Sequence, residues 1–143
     1  MSQSTKTHWE KVYQNKNPNE VSWTQEIPTT SLKLIQSFQL STSAQIIDVG
    51  GGDSKLVDYL LERGFKNISV LDVSEKALEK AQKRLGSRAK QVNWIACDIT
   101  NFKPQHSFDL WHDRAAFHFL TTKEQIKKYC SLAISYVNKY LVI

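Results

Sequence analysis

A chain of 143 residues, 41% hydrophobic with four tryptophans and three prolines, has the length and apolar content for one domain with its own core and is too short for two. Its formal charge of +5 rests on lysines dispersed over positions such as 76, 80, 83, 90, 123, 127 and 128; this pattern describes a solvated surface, since a nucleic-acid footprint needs a basic stripe with interleaved aromatics. No apolar run approaches the roughly 20 residues of a membrane span, the N-terminus lacks a signal-peptide core, and Cys97 and Cys130 are too isolated for a metal motif or a disulfide framework, so a cytoplasmic protein with free, buried or half-buried thiols is expected.

In chain order, residues 8–13 (H-W-E-K-V-Y) suggest one or two helical turns, 15–20 a loop, and 21–25 a short ambiguous stretch. From position 29 or 30 a helix is expected, with Leu32, Leu34, Ile35, Phe38 and Leu40 as its apolar stripe. Residues 1–43 thus precede the core as a helical flap, and Trp9 and Trp23 are candidates to close over a ligand. Ile46, Ile47 and Val49 then form a β-prone run that ends in Gly50, Gly51 and Gly52. A helix with Leu56, Val57, Leu60 and Leu61 on one face follows, closed by Gly64 and Phe65. A second strand covers 68–73, and Ala77, Leu78, Ala81 and Leu85 make the core face of a helix that Gly86 stops. Strands at 92–97, 108–111 and 140–143 come next, the last preceded by a helix with a Thr121–Glu124 capping box and with Ile126, Tyr129, Cys130, Ala133 and Val137 on one face.

Such alternation predicts an α/β fold: a doubly wound, mainly parallel sheet of about five strands with helices on both faces. Ligands of these sheets bind beyond the carboxyl ends of the strands. There the sequence places Asp48 and the glycines after strand one, Asp72 at the end of strand two, Asp98 after strand three, and His112, Asp113 and Arg114 after strand four.

The glycine turn is not built for phosphate. A dinucleotide fingerprint needs a third glycine at position 55, which is lysine, and Asp48 and Asp53 flank the turn where a pyrophosphate dianion would sit. Asp72 lies 22 positions beyond Gly50, close to the roughly 20 expected for a carboxylate that accepts from ribose hydroxyls. Its alternative role is to cap the helix that begins near Ser74. Asp98, beside Ile99, can accept from the exocyclic amine of an adenine, or serve as an ordinary loop aspartate.

The runs I-I-D-V-G-G-G-D-S, L-D-V-S, A-C-D-I-T and F-D-L-W-H-D-R-A-A-F-H-F-L-T resemble the successive motifs of class I S-adenosylmethionine-dependent methyltransferases, over about residues 8–143. The last run, with H-W-E-K-V-Y and V-S-W-T-Q, is similar to a branch of small bacterial methyltransferases and relatives of protein-lysine methyltransferases. This resemblance implies a Rossmann-like domain that binds S-adenosylmethionine. Asp48 and Gly50 would hold its methionine end, Asp72 its ribose and Asp98 its adenine, with Gly51, Gly52, Val73, Cys97, Ile99 and His112 as further cofactor-binding positions. One departure is Ser54 in place of the turn's last glycine. An in-line methyl transfer to a small-molecule or protein nucleophile is implied, with His112 and His118 as candidate bases and Trp23, Arg114 and Phe117 on the acceptor side. For each histidine a packed structural role is the alternative.

The resemblance also implies a helix and an antiparallel strand pair after strand five, so the chain reads as C-terminally truncated. Residues 139–143 are then expected to form an exposed apolar edge suited to pairing with a second copy. A cofactor-binding module without turnover is the competing reading, and an NAD-dependent oxidoreductase is the third.

Overall fold

Helix α1 (Thr29–Ser37) leads into β1 (Gln45–Val49), α2 (Leu56–Glu62), β2 (Asn67–Asp72), α3 (Glu75–Leu85), β3 (Val92–Ala96), β4 (Phe108–Asp113), α4 (Lys123–Tyr136) and β5 (Val137–Val142). Short 3-10 turns lie at Gly86–Gln91, Ile99–Asn101 and Ala116–Phe119. The computed structural model describes residues 28–52, 54–113 and 116–143, with the backbone alone at 118 and 119. The expectations for residues 8–13 and 21–25, and for Trp9, Trp23, Asp53, Arg114 and the side chain of His118, fall outside the described residues.

All five strands pair in parallel, in the order β3-β2-β1-β4-β5. The chain winds outward from β1 to β3 and then returns to β4 on the other side of β1. The reversal opens a crevice between the carboxyl ends of β1 and β4. Strands buried on both faces read as nearly continuous apolar runs, and that is the pattern of 46–49 and 68–71. Ile46, Ile68, Val70 and Leu110 pack on one face with Leu32 and Ile35 of α1, Leu56, Val57 and Leu60 of α2, and Leu78 and Leu85 of α3. Ile47, Val49, Leu71, Phe108 and Trp111 pack on the other with Ile99, Phe102, Leu120 and Tyr129.

The helix ends follow local chemistry. Phe65 N–H donates to Leu60 and Gly64 N–H to Leu61 at 3.2 and 3.0 Å, a C-terminal motif that the positive φ of Gly64 (89°) allows. Ser74 caps α3 by accepting from Ala77 N–H at 3.2 Å.

Several boundaries correct the sequence reading. Helix α1 ends at Ser37, short of Leu40, because the chain turns through Gln39 with φ 50°. The capping box is Thr122 with Gln125, because T-T-K-E-Q offers the pattern in two registers. On α4 only Tyr129 and Ala133 are buried; Ile126 and Cys130 are exposed and Val137 already belongs to β5. Strand β4 runs on to Asp113, so His112 and Asp113 lie inside the sheet, paired in register with Asp48 and Val49. Polarity hides that extension, since a hydrophobic run ends at Trp111.

Candidate functional site

The glycine turn follows the central strand β1. Gly50 has φ 72°, which a side chain would strain, and its N–H donates to Leu71 O of β2 at 2.7 Å. A β-carbon on Gly51 would stand 2.2 Å from Asp48 Oδ2, and one on Gly52 would stand 2.7 Å from Asp72 Oδ2 and 2.8 Å from Ala77 Cβ. The turn therefore lies directly on two carboxylates. Asp72 accepts from Gly52 N–H through Oδ2 at 3.0 Å and from Ser74 N–H through Oδ1 at 2.8 Å, which ties the turn to the start of α3.

Asp48 is 1% exposed and His112 2%. Neighbouring parallel strands direct in-register residues to the same face, and His112 Nδ1 reaches Asp48 Oδ1 at 2.9 Å. The other ring nitrogen, Nε2, is 2.8 Å from Ser31 Oγ of α1. With Nδ1 donating to the Asp48 carboxylate, Nε2 is left to meet the Ser31 hydroxyl. Both ring nitrogens of His112 are thus engaged, and the ring is buried. Asp48 Oδ2 is buried with no hydrogen-bond partner among the described residues.

After β3, Asp98 Oδ1 accepts from Thr100 N–H at 2.9 Å and from the Thr100 hydroxyl at 2.8 Å, capping the turn at Ile99–Asn101. Cys97 N–H donates to Asp72 O at 3.0 Å, and burial, then the Asp98 charge, raises the Cys97 thiol above its ordinary range. Cys97 is half-buried and Cys130 exposed, which corrects the expectation for the latter. Val73 is half-buried and Ile99 fully buried.

Between the end of β4 and α4 stands a buried relay that the sequence reading missed. Trp111 Nε1 donates to Tyr129 Oη at 3.0 Å, and that hydroxyl donates to Asp113 Oδ2. Asp113 also accepts from Ala116 N–H at 2.7 Å and from Phe117 N–H at 3.0 Å. It thereby caps the turn carrying Phe117, whose ring meets Tyr129 edge-on. Burial raises the Asp113 carboxyl, against the lowering effect of those donors, and the Asp48 charge raises it further. Burial and the Asp113 charge keep Tyr129 a neutral donor. Ala116 is close enough that a β-carbon on Gly50 would sit 2.9 Å from its own, so this relay fixes the segment after β4 against the glycine turn.

Gly51 thus borders Asp48 and Gly52 borders Asp72 on one turn, with Cys97 bonded to the Asp72 backbone and Asp98 and Ile99 following it. Such a turn and such acids, at the carboxyl edge of a parallel sheet, define a Rossmann-like cofactor-binding domain. A family profile described as a methyltransferase domain matches residues 46–138. The chain belongs to that methyltransferase family. It is 24% identical over 121 residues to the mouse eEF1A lysine and N-terminal methyltransferase, covering 82% of this chain and 17% of that protein. With malonyl-[acyl-carrier protein] O-methyltransferase 1 of Ilyobacter polytropus it shares 28% identity over 96 residues, 66% of this chain and 35% of that one. Its fold is similar to that of phosphoethanolamine N-methyltransferase 1 of Haemonchus contortus, solved with phosphoethanolamine and S-adenosylhomocysteine, at TM-score 0.77 and 20% identity over 96% of this chain and 30% of the other. The chain therefore spans a minor part of the length of these relatives.

Proposed function

We propose that this domain binds S-adenosylmethionine and transfers its methyl group to a nucleophile on a small molecule or a protein side chain, in the cytoplasm. The observation that carries the reading is the buried Oδ2 of Asp48, which has no hydrogen-bond partner among the described residues, beside a glycine turn with no room for side chains. A buried carboxylate oxygen is costly without a partner, and a cationic amino group supplies one. The Gly52 N–H, which a pyrophosphate would need, is already taken by Asp72, and the two carboxylates repel a dianion. An adenosyl ligand with an amino-acid tail and no phosphate fits these residues; a dinucleotide does not.

In this reading Asp48, Gly50 and Gly51 hold the amino-acid end, Asp72 and Val73 the ribose, and Cys97, Asp98 and Ile99 the adenine. The cofactor supplies a methyl group already activated on a sulfonium, for in-line displacement. What the protein adds is alignment and exclusion of water. Phe117, held by the Asp113 cap, belongs to the acceptor side together with Arg114 and Trp23, and His118 is the candidate for receiving the acceptor's proton. The relatives include a protein lysine and N-terminal methyltransferase and a malonyl-[acyl-carrier protein] O-methyltransferase, and the fold neighbour is a phosphoethanolamine N-methyltransferase, so the proposed acceptor is a protein or a small molecule.

The test is incubation with methyl-labelled S-adenosylmethionine and cell extract. Label in a protein band or a small product supports the proposal; bound cofactor without label transfer supports a binding module; no binding refutes both. A self-pairing edge is proposed too, because among the described residues β5 has β4 as its one strand neighbour, and Leu141 and Ile143 are 46% and 50% exposed. Light scattering at twice the chain mass supports it, and a monomer at high concentration overturns it.

A further inference from the structure

Asp48 and His112 are register partners on β1 and β4, and Ser31 is presented from the first turns of α1, 81 positions before the histidine it meets. The three make an unbroken line from a half-buried serine to a buried acid, Ser31 Oγ to His112 Nε2 at 2.8 Å and His112 Nδ1 to Asp48 Oδ1 at 2.9 Å. The connectivity is that of a nucleophilic Ser-His-Asp triad, yet its unused valence is at the other end. Here the acid's second oxygen is the group without a partner among the described residues, and it borders Gly51. A short aspartate side chain with one oxygen pinned has little freedom left for the other. Pinning Oδ1 thus fixes where Oδ2 points. The imidazole is in turn fixed at its far end by the hydroxyl of α1, as carboxylate ligands elsewhere depend on the groups behind them.

We propose that His112 and Ser31 are positioning residues, which hold the Asp48 carboxylate with its second oxygen aimed at the glycine turn and so give the site its selectivity for the amino-acid end of an adenosyl ligand. The inference rests on the cofactor reading above, and it separates two parts of one ligand: the amino-acid end depends on this line, while the adenosine end depends on Asp72 and Asp98. It also makes α1 part of the site, through a hydroxyl that no local sequence pattern marks.

The test is calorimetry of the full chain with S-adenosylhomocysteine and with 5′-methylthioadenosine, which keeps the adenosine thioether and lacks the amino-acid end. For His112→Ala, loss of a charge-assisted hydrogen bond corresponds to a drop of roughly tenfold to a hundredfold in S-adenosylhomocysteine affinity, with 5′-methylthioadenosine affinity held within about threefold of wild type. His112→Asn, whose amide N–H can still donate to Asp48, recovers most of that loss. Ser31→Ala, which leaves the Asp48–His112 bond in place, loses about two- to fivefold for S-adenosylhomocysteine alone. Where His112→Ala fails to fold, the Ser31→Ala ratio decides. Equal losses for both ligands, or unchanged S-adenosylhomocysteine affinity in the variants, overturn the positioning role while leaving the cofactor reading intact. A wild-type chain that binds neither ligand overturns the cofactor reading and this inference with it.

Discussion

Replacing Gly51 by alanine isolates the claim that the glycine turn is built against Asp48. The added methyl would lie 2.2 Å from Asp48 Oδ2, 2.4 Å from Cγ and 2.9 Å from Oδ1, far inside van der Waals contact. The positive-φ residues of the chain do not include Gly51, so the penalty is steric and not conformational. The carboxylate is the end of a side chain, but it is 1% exposed and bonded to His112, so it cannot swing away freely. Admitting the methyl means giving up that charge-assisted bond, about 1.5–3 kcal/mol. At about 2–4 °C per kcal/mol for a chain of this size, the melting temperature falls by roughly 3–12 °C. Gly86→Ala is the internal control for the site: nothing lies within 4 Å of the new carbon, but its φ of 61° and ψ of −126° suit glycine alone, so its cost is conformational, about 1–3 kcal/mol, and away from Asp48. Thermal denaturation followed by circular dichroism compares the two, and calorimetry with S-adenosylhomocysteine reports the site. Gly51→Ala loses affinity while Gly86→Ala keeps it. A Gly51→Ala variant that melts within about 1 °C of wild type and binds normally would refute the reasoning.

Tyr129→Phe strands the Trp111 indole N–H and strips one donor from Asp113, which costs about 1–3 kcal/mol. Adding Trp111→Phe should then cost less than its effect alone, and strict additivity in that double-mutant cycle would contradict the relay. Burial raises the Asp113 carboxyl above its ordinary 3.8, so the folded chain holds that proton more tightly than the unfolded one. The stability Asp113 contributes is therefore present below 3.8 and is lost as pH rises through the folded value. The melting-temperature gap between wild type and Asp113→Asn is accordingly widest at low pH and narrows toward neutrality. A gap that widens with pH would reverse the sign and refute the assignment.

The parallel sheet and the acids at its edge were legible because short-range pattern encodes them. Apolar runs of strand length ending in Asp48, Asp72 or the Cys97–Asp98 pair place those residues on one rim whatever the packing. Glycine at 51 and 52 was equally readable, since a turn so close to two carboxylates tolerates no β-carbon. The rest depends on register. His112 looks like a loop residue in sequence, yet pairing with Asp48 across β1 and β4 buries it, and its link to Ser31 joins elements that no local pattern connects. Asp113 and Tyr129, 16 positions apart, meet because α4 packs over the face of the sheet that holds Trp111. The capping box was seen but shifted by one residue, because neighbouring threonines offer two equivalent starts.

Everything about the site turns on an adenosyl ligand that carries an amino group and no phosphate. Titration of the wild-type chain with S-adenosylhomocysteine and with NAD in the same calorimeter tests this directly. Saturable heat from S-adenosylhomocysteine and none from NAD is the expected result; binding of NAD with no response to S-adenosylhomocysteine would contradict the account.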